Sequence, residues 1–127
     1  MAEGFTSAQG ALVSPLAKAR ATPTAGRAAA FIASDYPHLG YLVIRGRAAD
    51  AAFMDAASAV LGLRLPTTPR TVAACGAGRV LWQSPDEWWL VTARHQRDAV
   101  AGALATALKG CFAQLVDNSG GFAALHI

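Results

Sequence analysis

Residues 80–92 read Val80-Leu81-Trp82-Gln83-Ser84-Pro85-Asp86-Glu87-Trp88-Trp89-Leu90-Val91-Thr92, two apolar runs on either side of a short polar break. Proline at the second position of Ser84–Glu87 and aspartate at the third suit a type I turn, so the two runs form a β-hairpin. Side chains alternate along a strand, which puts Trp88, Leu90 and Thr92 on one face and Trp89 and Val91 on the other. A ribbon exposed on one side would not need apolar groups on both. The hairpin therefore belongs inside a layered structure, with helices on one face and a large aromatic presented on the other. Tryptophan is enriched at the centres of protein interfaces, and Trp82, Trp88 and Trp89 are candidate anchors for a protein partner. Packing of all three in the core accounts for the same pattern.

Downstream of the hairpin, Val100, Leu104 and Leu108 recur every fourth residue and predict a helix over residues 96–109, with Gly110 as its stop. Residues 112–116 then read as a strand, Asp117-Asn118-Ser119-Gly120-Gly121 as a turn, and residues 122–127 as the start of a last strand. Asp117 and Ser119 are placed to order that turn through side-chain-to-backbone hydrogen bonds. Upstream, Tyr41-Leu42-Val43-Ile44-Arg45 is a strand closed by Gly46. Asp50 caps a helix carrying Phe53, Val60 and Leu61 on one face, and Gly62 supplies its left-handed end. Thr71-Val72-Ala73-Ala74 is a further strand, joined to the hairpin by a turn at Gly76-Ala77-Gly78. Strand, helix, strand hairpin, helix, strand, strand predicts an α+β, ferredoxin-like sandwich: an antiparallel sheet with two helices on one face.

Before residue 37 the periodicity stops. Gly4, Gly10, Pro15, Pro23 and Gly26 interrupt a stretch whose bulky apolar groups are few, Phe5, Leu12, Val13 and Leu16 among them. Such a stretch cannot offset its own ordering entropy by burial. Residues 1–36 are therefore expected to form an extended N-terminal arm, either mobile or docked on something else, with Ser14-Pro15-Leu16-Ala17 as a capped turn and Leu16 as a contact. Residues 37–127 form the α+β domain.

The 127 residues suit one domain with a single core, although alanine fills about a quarter of the positions and bulky apolar groups are correspondingly scarce. The net charge of +3 arises wholly within residues 1–47, and the remainder balances six basic against six acidic side chains. A folded part without net positive charge argues against a nucleic-acid partner. No apolar run approaches the ~20 residues of a membrane span. Cys75 and Cys111, without a secretory leader pattern, read as reduced thiols of a cytoplasmic protein.

Chemistry is poorly represented. His38, His95 and His126 lie in no nucleophile motif, and neither cysteine has a histidine nearby in sequence. Nothing has zinc-ligand spacing. Gly76-Ala77-Gly78 lacks both the third glycine and the following helix of a phosphate loop, and Asp86-Glu87 are adjacent turn residues that point apart. No catalytic, cofactor-binding or metal-binding residue is assigned.

The run Leu81-Trp82-Gln83-Ser84-Pro85-Asp86-Glu87-Trp88-Trp89-Leu90-Val91 resembles the LWLGPDEWLLV signature of the gamma subunit of heterotetrameric sarcosine oxidase. Three weaker blocks agree in order: Ser14-Pro15-Leu16-Ala17, Leu42-Val43-Ile44-Arg45-Gly46 before an Asp50-x-x-Phe53 helix, and Leu115-Val116-Asp117-Asn118-Ser119. The resemblance implies a non-catalytic subunit of a complex that oxidatively demethylates sarcosine to glycine and releases hydrogen peroxide. It also implies FAD, FMN, NAD and tetrahydrofolate on the larger flavoprotein subunits, and a fold like half of a folate-binding aminomethyltransferase domain. Members of that family continue past the position of Ile127 with a turn, a helix and further strands. The alternative function is a stand-alone tetrahydrofolate-binding module, with Asp117 as its polar group.

Overall fold

The structure is a computed structural model that describes Leu16, residues 34–36 and residues 38–126. Its elements are β1 (Ser34–Asp35), β2 (Leu39–Arg45), α1 (Ala51–Leu61), β3 (Val72–Cys75), β4 (Gly78–Ser84), β5 (Glu87–Ala93), α2 (Arg97–Ala107), β6 (Gln114–Asp117) and β7 (Leu125–His126). Of the expected arm, the half-buried Leu16 and residues 34–36 are described, with Ser34–Asp35 forming β1; the rest of it, including the remainder of the Ser14–Ala17 turn, lies outside the described residues.

Residues 39–122 form one unit. Its sheet has the order β3-β4-β5-β2-β6, with every neighbouring pair antiparallel. β2 and β6 are the first and last strands of a β-α-β-β-α-β path whose inner pair is the β4–β5 hairpin, and β3 is an extra edge strand. That order matches the expected ferredoxin-like sandwich. The hairpin turn is Pro85-Asp86, as the sequence implies, and the Ser84 hydroxyl donates to Asp86 Oδ1 at 2.6 Å.

Both helices pack on one face of this sheet. Leu42, Ile44, Val80, Trp88 and Leu90 project from the strands, and Phe53, Met54, Ala57, Leu61, Leu104 and Leu108 meet them from the helices. The local reasons are those written in the sequence. Asp50 Oδ1 accepts from the backbone N–H groups of Ala52 and Phe53, which closes the start of α1, and Gly62 ends it at φ 70°. The second helix starts later than its periodicity predicts. Arg94–Gln96 form one 3₁₀ turn, and α2 begins at Arg97 without a side-chain cap. Gly46 packs so closely on Phe53 that a Cβ there would lie 2.6 Å from the ring.

The end of the chain departs from expectation. Residues 112 and 113 are loop, and the last strand is only Leu125–His126. It does not pair with β6 across the Gly120-Gly121 turn. Instead it pairs antiparallel with β1 in a two-stranded ribbon, Ser34 opposite His126 and Asp35 opposite Leu125, where the Tyr36 ring meets His126 edge-on. This ribbon belongs to a second unit. The physical reason lies in residues 117–119. Asp117 Oδ1 accepts from the Ser119 N–H at 3.0 Å and from its hydroxyl at 2.5 Å, and Ser119 Oγ in turn accepts from the Tyr41 N–H at 3.0 Å. The Asn118 N–H donates to the Tyr41 carbonyl at 2.9 Å. The turn residues thus bond to β2 and do not fold back along β6. Arg94 Nη1 donates to the Ser119 carbonyl at 3.2 Å, and Arg97 Nε lies 3.3 Å from Asp117 Oδ2.

Partial burial pushes the Asp117 carboxyl upward. The Ser119 hydroxyl and N–H, with Arg97 and Arg94 behind them, outweigh that and hold it below the ordinary 3.8. A folded-state pKa below the unfolded one contributes stability that is present above the unfolded value and lost as pH falls through the folded one. Melting curves from pH 7 down to pH ~3 should therefore show a falling midpoint below about pH 4, and a shallower fall in Asp117→Asn. A second prediction concerns Gly78, which sits at φ 143° where a Cβ would lie 2.0 Å from the Val91 carbonyl oxygen. Gly78→Ala should destabilise by more than ~2 kcal/mol, read from chemical denaturation.

Candidate partner-docking surface

Strand alternation leaves a second face, opposite the helices, and its composition is not that of a solvated sheet. Val72, Leu81, Trp89, Val43 and Val116 stand in one row across β3, β4, β5, β2 and β6. Val72 is opposite Leu81, Leu81 opposite Trp89, Trp89 opposite Val43, and Val43 opposite Val116. With ~4.8 Å between strands, the row runs about 19 Å. Its ends are open, with Val72 57% and Val116 40% exposed, while Leu81, Trp89 and Val43 are half-buried. Phe122 closes part of the face, its ring 4.5 Å from that of Trp89 and 5.4 Å from that of Tyr41. Along the strands, the next row holds Tyr41, Val91 and the exposed Arg79. The opposite flank holds Arg45, Glu87 and Gln114.

The structure separates the three tryptophans. Trp88 is wholly buried among the helices and donates from Nε1 to the Pro66 carbonyl at 2.7 Å, with the Phe53 ring 5.8 Å away. It is a core residue and cannot anchor a partner, because its face of β5 is the one the helices cover. Trp82, directly opposite Trp88, shares that face and is half-buried. Of the three, Trp89 alone lies on the side that no described helix covers. The fourth candidate, Leu16, is half-buried. Sequence reasoning found Trp89 and missed its row, because Val43, Val72, Leu81 and Val116 are ordinary strand residues far apart in the chain. Alternation could have placed each of them; only the register shows that they line up.

A cleft of about 530 Å³ opens at the Arg45 end of the sheet, walled by Arg45, Arg47, Asp86, Phe112 and Gln114. Arg47 and Phe112 also line an adjoining hollow of about 470 Å³ against Ala49 and Asp50. The Arg45 guanidinium lies 3.9 Å from Asp86 Oδ2 and 3.6 Å from Glu87 Oε1. The Ser84 hydroxyl, more than Arg45, holds the Asp86 carboxyl below its usual value.

Among the described residues no three His, Cys, Asp or Glu side chains gather as a metal site, and no helix is long and apolar enough to cross a membrane. Cys75 and Cys111 are half-buried free thiols. Both Asp117 oxygens are engaged by Ser119 and Arg97.

No curated protein matches the chain. Among solved structures, it is similar to a chain of the heterotetrameric sarcosine oxidase from Corynebacterium sp. U-96, in complex with pyrrole 2-carboxylate. The identity is 26% and the TM-score 0.64, over 73% of this chain and 47% of that one. This chain therefore spans about half the length of the solved chain it resembles. The pattern of the "Sarcosine oxidase, gamma subunit family" matches residues 45–127, from the last residue of β2 through both helices to the end of the sequence. A match over so much of the chain settles its kinship: it belongs to the sarcosine oxidase gamma subunit family.

Proposed function

We propose that this chain is a structural subunit of a heterotetrameric sarcosine oxidase, holding the larger flavoprotein subunits together through the helix-free face of its sheet while they oxidatively demethylate sarcosine to glycine. The observation that carries this reading is the row Val72-Leu81-Trp89-Val43-Val116, an apolar band with open ends on the face that no described helix covers. Burying a fully exposed aliphatic side chain contributes about 1.5–3 kcal/mol, so even the partly exposed members add to a stable contact. In this reading FAD, FMN, NAD and tetrahydrofolate are held by the partner subunits, and the complex works in the cytoplasm. Residues 5–33 drape over a partner as an arm, with Leu16 as one contact. Family membership and the similarity to a sarcosine oxidase chain support the choice of partner.

Co-expression of the full chain with the larger subunits tests the reading. Val116→Asp and Leu81→Asp should leave α1, α2 and their core intact but reduce recovery of the assembled complex at least tenfold. Trp88→Phe, which loses the hydrogen bond to Pro66, should lower the melting temperature of the isolated chain yet permit assembly whenever it folds. Full assembly and flavin content in the absence of this chain would refute the proposal.

A further inference from the structure

We infer that the cleft at the Arg45 end of the sheet seats a carboxylate carried on an otherwise apolar segment of a larger subunit, with Arg47 as its ion-pair partner and Phe112 as its apolar wall. The inference rests on the docking reading above and adds the chemistry of the partner.

Charge accounting singles out Arg47. Of the acids around the cleft, Asp86 is engaged by the Ser84 hydroxyl and Arg45, and Glu87 by Arg45. Asp50 is occupied by the first N–H groups of α1. Arg47 has no carboxylate among the described residues. Its guanidinium carbon lies 5.6 Å from the centroid of the Phe112 ring, its one side-chain contact among the described residues. Among the described residues around the cleft, what remains after the internal pairs is one exposed guanidinium, set over an aromatic ring and lining the cleft. A guanidinium so placed matches the planar, two-oxygen geometry of a carboxylate and is more weakly hydrated than an ammonium.

Phe112 is the second observation. It is 79% exposed, more than any other large apolar residue described, and sits in the loop between α2 and β6 where nothing in the core claims it. Arginine and aromatic residues are the side chains that most often dominate binding energy at interfaces. The cleft is also continuous with the apolar row. Arg45 and Gln114 face each other across β2 and β6, two residues along from Val43 and Val116 on the same side of the sheet. That step is about 7 Å along a strand. A partner segment can thus lay apolar side chains on the row and place an acidic one at Arg47.

The test uses the full chain and the larger subunits, with affinity measured at low and high salt for wild type, Arg47→Glu, Arg47→Ala, Phe112→Ser and Val116→Asp. Melting temperatures should stay at the wild-type value for the Arg47 and Phe112 variants, since both side chains are exposed. Arg47→Glu should weaken assembly at least tenfold, Phe112→Ser severalfold, and Arg47→Ala should flatten the salt dependence. Wild-type affinity and salt response in Arg47→Glu, alongside failure of Val116→Asp, would overturn the cleft assignment and leave the docking face standing. Normal assembly in Val116→Asp as well would remove the docking face itself.

Discussion

The register between β2 and β5 is the constraint on which everything else depends. Ile44 stands opposite Trp88 and Val43 opposite Trp89. Because successive side chains alternate, a slip of one residue would turn Trp88 out of the core and Trp89 into it. Several contacts hold the register in place. The Trp88 indole N–H is satisfied by Pro66, the Phe53 ring meets its ring, and Gly78 lets the start of β4 approach β5 too closely for any side chain. Trp89 is then on the opposite face by geometry.

In the proposed reading this division of faces separates stability from recognition. The helix side buries Leu42, Ile44, Val80, Trp88 and Leu90 completely and carries the cooperative core. The other side holds apolar side chains that the core does not need, with open ends at Val72 and Val116 and an aromatic cover at Phe122. Contiguous exposed apolar surface on a folded domain marks an interaction site more often than it marks wasted material. In the proposed reading this domain is a structural subunit. The polar network it does contain, Asp117, Ser119, Arg94 and Arg97, is spent on fixing where the chain goes after β6. For that reason Asp117 reads as a structural residue and not as the polar group of a folate site.

Much of this was legible in the sequence. The Pro85-Asp86 turn, the Asp50 cap and the Gly62 stop are local signals, and each works through bonds made within a few residues. The alternation of Trp88 and Trp89 was equally plain, and it put one indole on each face of the strand. The inner assignment of Trp88 needed a knowledge of which face the helices take, which no local pattern contains. The same limit explains β7. A strand-like run after two glycines suggests a hairpin with β6, but its partner, Ser34–Asp35, is some ninety residues away, beyond any sequence period. The Arg47–Phe112 cleft was hidden for the same reason, since its members come from two loops at one end of the sheet. Long-range register was the missing information in every case.

Side-chain footprinting of the assembled complex examines the central claim most directly. Hydroxyl-radical labelling of the full chain, alone and bound to the larger subunits, should show protection of Leu81, Trp89, Val116 and Phe112 on assembly, with the solvent faces of α1 and α2 unchanged. Protection confined to the helices, with the sheet face labelled as strongly in the complex as in the free chain, would contradict the account.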